Sequence, residues 1–183
     1  MLYALGKEFD GKFEGINLPE TSVTFGESGK LYPDGYTPRT YRDAIIENMR
    51  VLKLAFPKAI TMQYANFMPG EWLPRTDSSF LKSVYEFARI NNIGVGGPDL
   101  PPFKKGQMNH SNKLINEFVG TIPIGIAVQC GNYEHIDPQT NSEIEISDLI
   151  DFAANYLRVD YLFWCAQEPS YSKKLIPYLE SMK

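Results

Sequence analysis

The sequence predicts an α/β fold of repeated strand–helix units arranged around a mainly parallel sheet. Five strand-like runs recur along the chain, and their centres lie roughly 30 to 46 residues apart, which is the length of a strand, a loop, a helix and a return loop. Parallel strands need a crossover of this length between them. The runs cover residues 13–18, 59–65, 93–97, 122–129 and 160–165.

Each gap between strands contains a helical pattern with plausible ends. Thr37 and Pro38 provide an N-cap and a first-turn proline for one helix, and Asp77 is the expected cap of the next. Further helices are predicted over residues 109–118 and 146–157, followed by a last helix that Pro177 interrupts.

The segments after the strands favour a barrel over an open sheet, and the pattern of the fourth run suits a barrel strand. In the fourth run large and small or polar residues alternate, as expected where large residues face outer helices and small ones face a barrel axis. The segments that follow the strands are long and rich in polar, aromatic, Gly and Pro residues, as are the loops that carry barrel active sites. No Gly-rich phosphate motif opens a helix, which disfavours a nucleotide-binding open sheet. The alternating residues are Ile124, Gly125, Ile126, Ala127, Val128 and Gln129.

The 183 residues are expected to form one domain, residues 1–183, equivalent to a partial TIM barrel of about five βα units. A closed eight-unit barrel typically needs about 250 residues. The amino terminus also looks like the end of a helix that runs directly into a strand, so the chain is expected to be roughly the last five-eighths of such a barrel. An open five-stranded sheet leaves two free edges, so we also expect association, most simply as a homodimer.

Composition excludes several classes of function. The net charge is −4 and no basic patch is visible, which disfavours nucleic-acid binding. No apolar run has the length of a membrane span. The two cysteines and the separated His110 and His135 have no metal-ligand spacing, so neither a metal nor another cofactor is expected, and His110 is expected to be a polar residue on a helix.

Acidic, amide and aromatic residues follow the predicted strands and should meet at one end of the sheet. Carboxylates and amides bind hydroxyl groups, aromatic rings cover the apolar faces of sugars, and two carboxyl groups can perform acid and base catalysis. This mixture predicts a carbohydrate partner. The candidate catalytic residues are Glu20, Asp99 and Glu168, and the candidate substrate-binding residues are Asn17, Asn66, Trp72, Gln129, Tyr133, Trp164 and Gln167.

Two segments resemble the barrels of clan A glycoside hydrolases. Residues 13–21, FEGINLPET, are similar to the fourth strand of that family, and residues 161–169, YLFWCAQEP, are similar to its eighth strand. The resemblance implies that Glu20 is the acid/base, that Asn17 takes the place of the neighbouring Asn, and that Trp164 forms the floor of the sugar site.

The chain departs from the family pattern in two places. Two residues separate Asn17 from Glu20, whereas the family has Asn directly before Glu. The family's nucleophile is a Glu at the end of the seventh strand, where this chain has Gln129. Gln cannot act as a carboxylate nucleophile, so a substitute would have to be Asp99, Glu168 or Glu71.

Each candidate also has a structural interpretation. Glu20 can be a solvated loop acid, Asp99 can shape a turn, and Glu168 can cap the last helix. Two alternatives to a hydrolase remain, namely a non-catalytic carbohydrate-binding barrel and a self-contained βα-repeat domain completed by dimerisation. As an isolated five-unit fragment the chain is expected to be inactive.

Overall fold

A computed structural model describes residues 1–100 and 102–183. Its sheet has five strands, all parallel and in chain order, and it curls into a half-barrel. This architecture confirms the predicted α/β fold of about five βα units. The strands are shorter than predicted at their ends: β1 Gly15–Leu18, β2 Ile60–Tyr64, β3 Gly94–Gly97, β4 Ile124–Val128 and β5 Tyr161–Trp164.

The helices precede, separate and follow these strands. Two of them include π-helical turns: residues Phe152–Leu157 continue α7, and residues Tyr171–Leu175 lead into α8. Within the described residues no helix combines the length and apolarity that a membrane crossing requires. The helices are α1 Leu2–Phe9, α2 Pro38–Ala55, α3 Phe80–Ile90, α4 Lys105–Asn109, α5 Ser111–Phe118, α6 Cys130–Tyr133, α7 Ile146–Asp151 and α8 Ile176–Ser181.

The two faces of the sheet differ as the alternation in β4 predicts. Ile124, Ile126 and Val128 are buried in the main hydrophobic core, together with apolar residues of α3 and α5. Gly125 lies on the inner face, where an added Cβ would come within 2.7 Å of Met62 and 2.9 Å of Phe163. The large residues of β4 therefore stabilise the outer layer, and its glycine leaves room for side chains of β2 and β5.

The sequence predicted the wrong capping residue for α3. Asp77 accepts a hydrogen bond from the Ser79 backbone N–H, but the helix begins later, at Phe80. The carboxylate of the buried Glu71 accepts the backbone N–H groups of Phe80 and Leu81 at 2.5 and 2.9 Å. A carboxylate from the preceding loop satisfies N–H groups that have no partner within the helix. Glu71 therefore has a structural role at the start of α3.

The single helix predicted over residues 109–118 is interrupted at His110, between α4 and α5. His110 is fully buried, and its Nε2 accepts the backbone N–H of Leu73 at 3.0 Å. The side chain therefore ties the break between the two helices to the loop after β2. The expectation of a simple polar residue on a helix is corrected, because the tertiary contact with Leu73 overrides the local helical pattern.

Candidate functional site

A cleft of about 510 Å³ opens beyond the carboxyl ends of β1, β2 and β3. In parallel α/β proteins this end of the strands usually carries the ligand site. Four of the sequence-predicted site residues contribute to it, and residues of the α4 segment complete it. The lining residues are Glu20, Ser22, Asn66, Phe67, Trp72, Asp99, Lys104, Lys105, Gly106 and Gln107.

Asn66 orients the carboxylate of Glu20 in this cleft. The buried Asn66 donates from Nδ2 to Glu20 Oε2 at 2.6 Å. Its Oδ1 accepts the backbone N–H groups of Ser22 at 3.2 Å and Phe67 at 2.9 Å. These bonds join the loop after β1 to the loop after β2. Among the described residues, Glu20 Oε1 has no hydrogen-bond partner and is free for a ligand.

Asn132 has the same role for Asp99. Its Nδ2 donates to Asp99 Oδ1 at 3.3 Å, and its Oδ1 accepts the backbone N–H groups of Leu100 at 2.9 Å and Gln129 at 3.1 Å. Asn132 was not among the site residues predicted from the sequence. Its position three residues after Gln129, at the start of α6, is the one local signal that marks it as a capping residue.

An aromatic wall borders the cleft on the side of the loop after β2. Trp72 is 54% exposed and stacks on Phe67, with ring centroids 5.9 Å apart and an interplanar angle of 16°. The buried His110 ring lies 4.6 Å from the Phe67 ring and 5.1 Å from the Trp72 ring. The wall therefore presents a supported indole ring to solvent, which is suited to stacking on the apolar face of a ligand.

Burial keeps the His110 imidazole neutral by lowering its pKa. Because Nε2 accepts the Leu73 N–H, the remaining proton belongs on Nδ1. Nδ1 is buried without a hydrogen-bond partner among the described residues. As a neutral hydrogen-bond acceptor, His110 therefore fixes the loop that carries Trp72.

The residues after β4 and β5 form a second, separate group. Gln129 caps α6 together with Asn132, and the fully buried Tyr133 donates its hydroxyl to the Cys165 carbonyl at 3.3 Å. The Trp164 ring packs on the Tyr133 ring at a centroid distance of 6.1 Å. Trp164 was expected to form the floor of the sugar site, but it is not among the residues that line the cleft containing Glu20.

The remaining predicted residues also lie outside the lining of this cleft. Glu168 is exposed and accepts the hydroxyl of Ser172. The helical turn that follows has Ser170 as its N-cap, without a side-chain capping bond, so the predicted capping role of Glu168 is wrong. Gln167 is exposed and its backbone N–H donates to Cys165. Asn17 lies in a largely apolar groove of about 290 Å³ on the inner face of the sheet.

Within residues 1–100 and 102–183, no three His, Cys, Asp or Glu side chains lie close enough together to hold a metal ion. The chemistry available in the cleft is that of two carboxylates, two amines, amide groups and an aromatic surface. Comparison of the chain with protein-family models and with curated proteins finds no match.

Proposed function

We propose that the cleft binds a carbohydrate and that Glu20 and Asp99 perform acid/base hydrolysis of a glycosidic bond. The observation that carries this proposal is the presence of Glu20, Asp99 and an exposed Trp72 in the lining of one cleft. Glycoside hydrolysis needs a pair of carboxyl groups beside the bond that breaks. An aromatic ring beside them supplies the apolar contact that a sugar ring requires.

Glu20 is the proposed proton donor. Asn66 holds Oε2 at 2.6 Å, and the other oxygen is left to face the leaving group. Asp99 is the proposed second carboxylate, in place of the residue at position 129, where a Gln caps α6. Asp99 would then act as the nucleophile of a retaining reaction or as the base of an inverting one.

The test is hydrolysis by the full-length protein of a panel of aryl and alkyl glycosides. Glu20→Gln should slow turnover of substrates with poor leaving groups by about 10²–10⁴-fold and affect activated aryl glycosides much less, since these need little protonation. Glu27→Gln is the matched control, because Glu27 is an exposed acid in the same loop. Unchanged hydrolysis of both substrate types by Glu20→Gln contradicts the assignment.

A non-catalytic carbohydrate-binding protein is the second candidate, and the capping role of Gln129 favours it. Under this proposal the panel is not hydrolysed, yet oligosaccharides bind and Trp72→Ala weakens their binding about tenfold. Calorimetric titration with Trp72→Ala and Trp72→Phe measures the contribution of the ring. Equal affinity in wild type and Trp72→Ala rejects the cleft as the sugar site.

For the assembly we propose a homodimer. Within the described chain β1 and β5 each pair with a single neighbour, and Phe13 and Phe163 are exposed beside the apolar inner groove. A second copy would cover these free edges and rings. Sedimentation should show a dimer at tens of micromolar that Phe163→Ser weakens, and a monomer at that concentration contradicts the proposal.

A further inference from the structure

We infer that the carbohydrate bound in this cleft is anionic, with the acidic group of a sugar ring held by Lys104 and Lys105. This inference rests on the proposed carbohydrate binding and specifies its substrate class. Both lysines line the cleft together with Glu20 and Asp99. The site therefore contains two groups of each charge in the same cavity of about 510 Å³.

The charges in the cleft do not neutralise each other directly. Among the described residues neither Lys104 nor Lys105 forms an ion pair or a hydrogen bond through its amine. The two carboxylates instead accept hydrogen bonds from neutral amides, Glu20 from Asn66 and Asp99 from Asn132. The amides orient the acids without cancelling their charge, and both amines remain available to a ligand.

Amines without an ion-pair partner in the protein match a sugar that carries an acidic group. A neutral oligosaccharide uses the carboxylates and Trp72 but offers the amines only hydroxyl groups. A sugar with a carboxylate or a sulfate ester gives the amines a charge-assisted partner, which forms the stronger hydrogen bond. The carboxylates repel that group while the amines attract it, so the charges also orient the sugar in the cleft.

The experiment compares three oligosaccharides of equal length by calorimetric titration: an oligogalacturonide, a sulfated galactan fragment and a neutral galactan fragment. The full-length protein should bind at least one acidic ligand about tenfold or more tightly than the neutral one. The preference should weaken as salt is added, because the lysines are exposed. The carboxylate and sulfate ligands together identify which acidic group the lysines hold.

The double variant Lys104→Gln, Lys105→Gln should remove the preference, so that the acidic ligand binds no more tightly than the neutral fragment. Lys113→Gln on α5 is the control, because Lys113 is exposed and does not line the cleft. A thermal unfolding curve that matches wild type verifies the fold of each variant.

Three results overturn the inference. If neutral and acidic fragments bind equally well, or if the preference survives in the double variant, the anionic class is wrong while carbohydrate binding stands. If no fragment of any kind binds, the proposed function and the inference fall together.

Discussion

Glu20 and Asp99 are held in the same way, but the two asparagines that hold them have different surroundings. Each asparagine donates from Nδ2 to the carboxylate and accepts two backbone N–H groups on Oδ1. The bond from Asn66 to Glu20 measures 2.6 Å and that from Asn132 to Asp99 measures 3.3 Å. The Leu100 N–H group that donates to Asn132 is fully buried. The Ser22 and Phe67 N–H groups that donate to Asn66 are only partly buried.

Asn66 therefore mainly positions a carboxylate, whereas Asn132 mainly supports the core. The short bond from Asn66 fixes a carboxylate on an exposed loop, and much of its value lies in the orientation of Glu20. Asn132 supplies the acceptor for a buried N–H, and such a group is costly to leave without a partner. Its bond to Asp99 is longer, so the carboxylate is less tightly held by an amide that mainly supports the fold.

The largest expected effect contrasts the carboxylates. Asp99→Asn should slow hydrolysis about 10²–10⁴-fold on good and poor leaving groups alike, since a base or nucleophile is needed for both. Glu20→Gln should be selective for poor leaving groups. Turnover of matched aryl and alkyl glycosides by the two full-length variants measures the contrast. The same leaving-group dependence in both variants contradicts the division of roles.

The second prediction contrasts the asparagines through stability. Asn132→Ala should lower the free energy of unfolding by about 2–3 kcal/mol, and Asn66→Ala by about 1–2 kcal/mol, because only the first strands a fully buried N–H. Urea unfolding of the two variants measures both values. Asn109→Ala is the control, as Asn109 is exposed at the end of α4. A larger loss for Asn66→Ala is the contrary outcome.

The smallest effects concern His110, behind the aromatic wall, and His135, which interacts with Lys104 and Asp99. Burial lowers the pKa of His110, and burial together with the charge of Lys104 lowers that of His135, with Asp99 opposing. The unfolded chain therefore takes up protons that the folded chain does not, and stability should fall as pH decreases through the unfolded pKa of about 6.5.

His110→Asn and His135→Asn should each reduce this loss of stability on acidification. Added salt should change the contribution of His135, which depends partly on Lys104, more than that of His110, which arises from burial alone. Urea unfolding at about pH 7.5 and about pH 5.5, at low and high salt, measures these changes. Stability that rises on acidification contradicts both assignments.

The local pattern of the sequence predicts much of the fold. Burial of side chains on one face of an element produces a periodic pattern in the sequence. The alternation of large and small residues in β4 and the spacing of the strand-like runs are such patterns. The helix break at His110 and the capping of α3 by Glu71 were not predicted, because each depends on a contact with a loop residue outside the helix.

The sequence by itself determined that five βα units place their strand ends on one side of a parallel sheet, with Glu20, Asn66, Asp99, Gln129 and Trp164 at the same end. Only the tertiary structure decided which asparagine holds which carboxylate. Glu20 and Asn66 are 46 residues apart, and Asp99 and Asn132 are 33 residues apart. Hydrogen bonds over such separations leave no periodic signal, because their geometry exists only once neighbouring loops are brought together by the sheet.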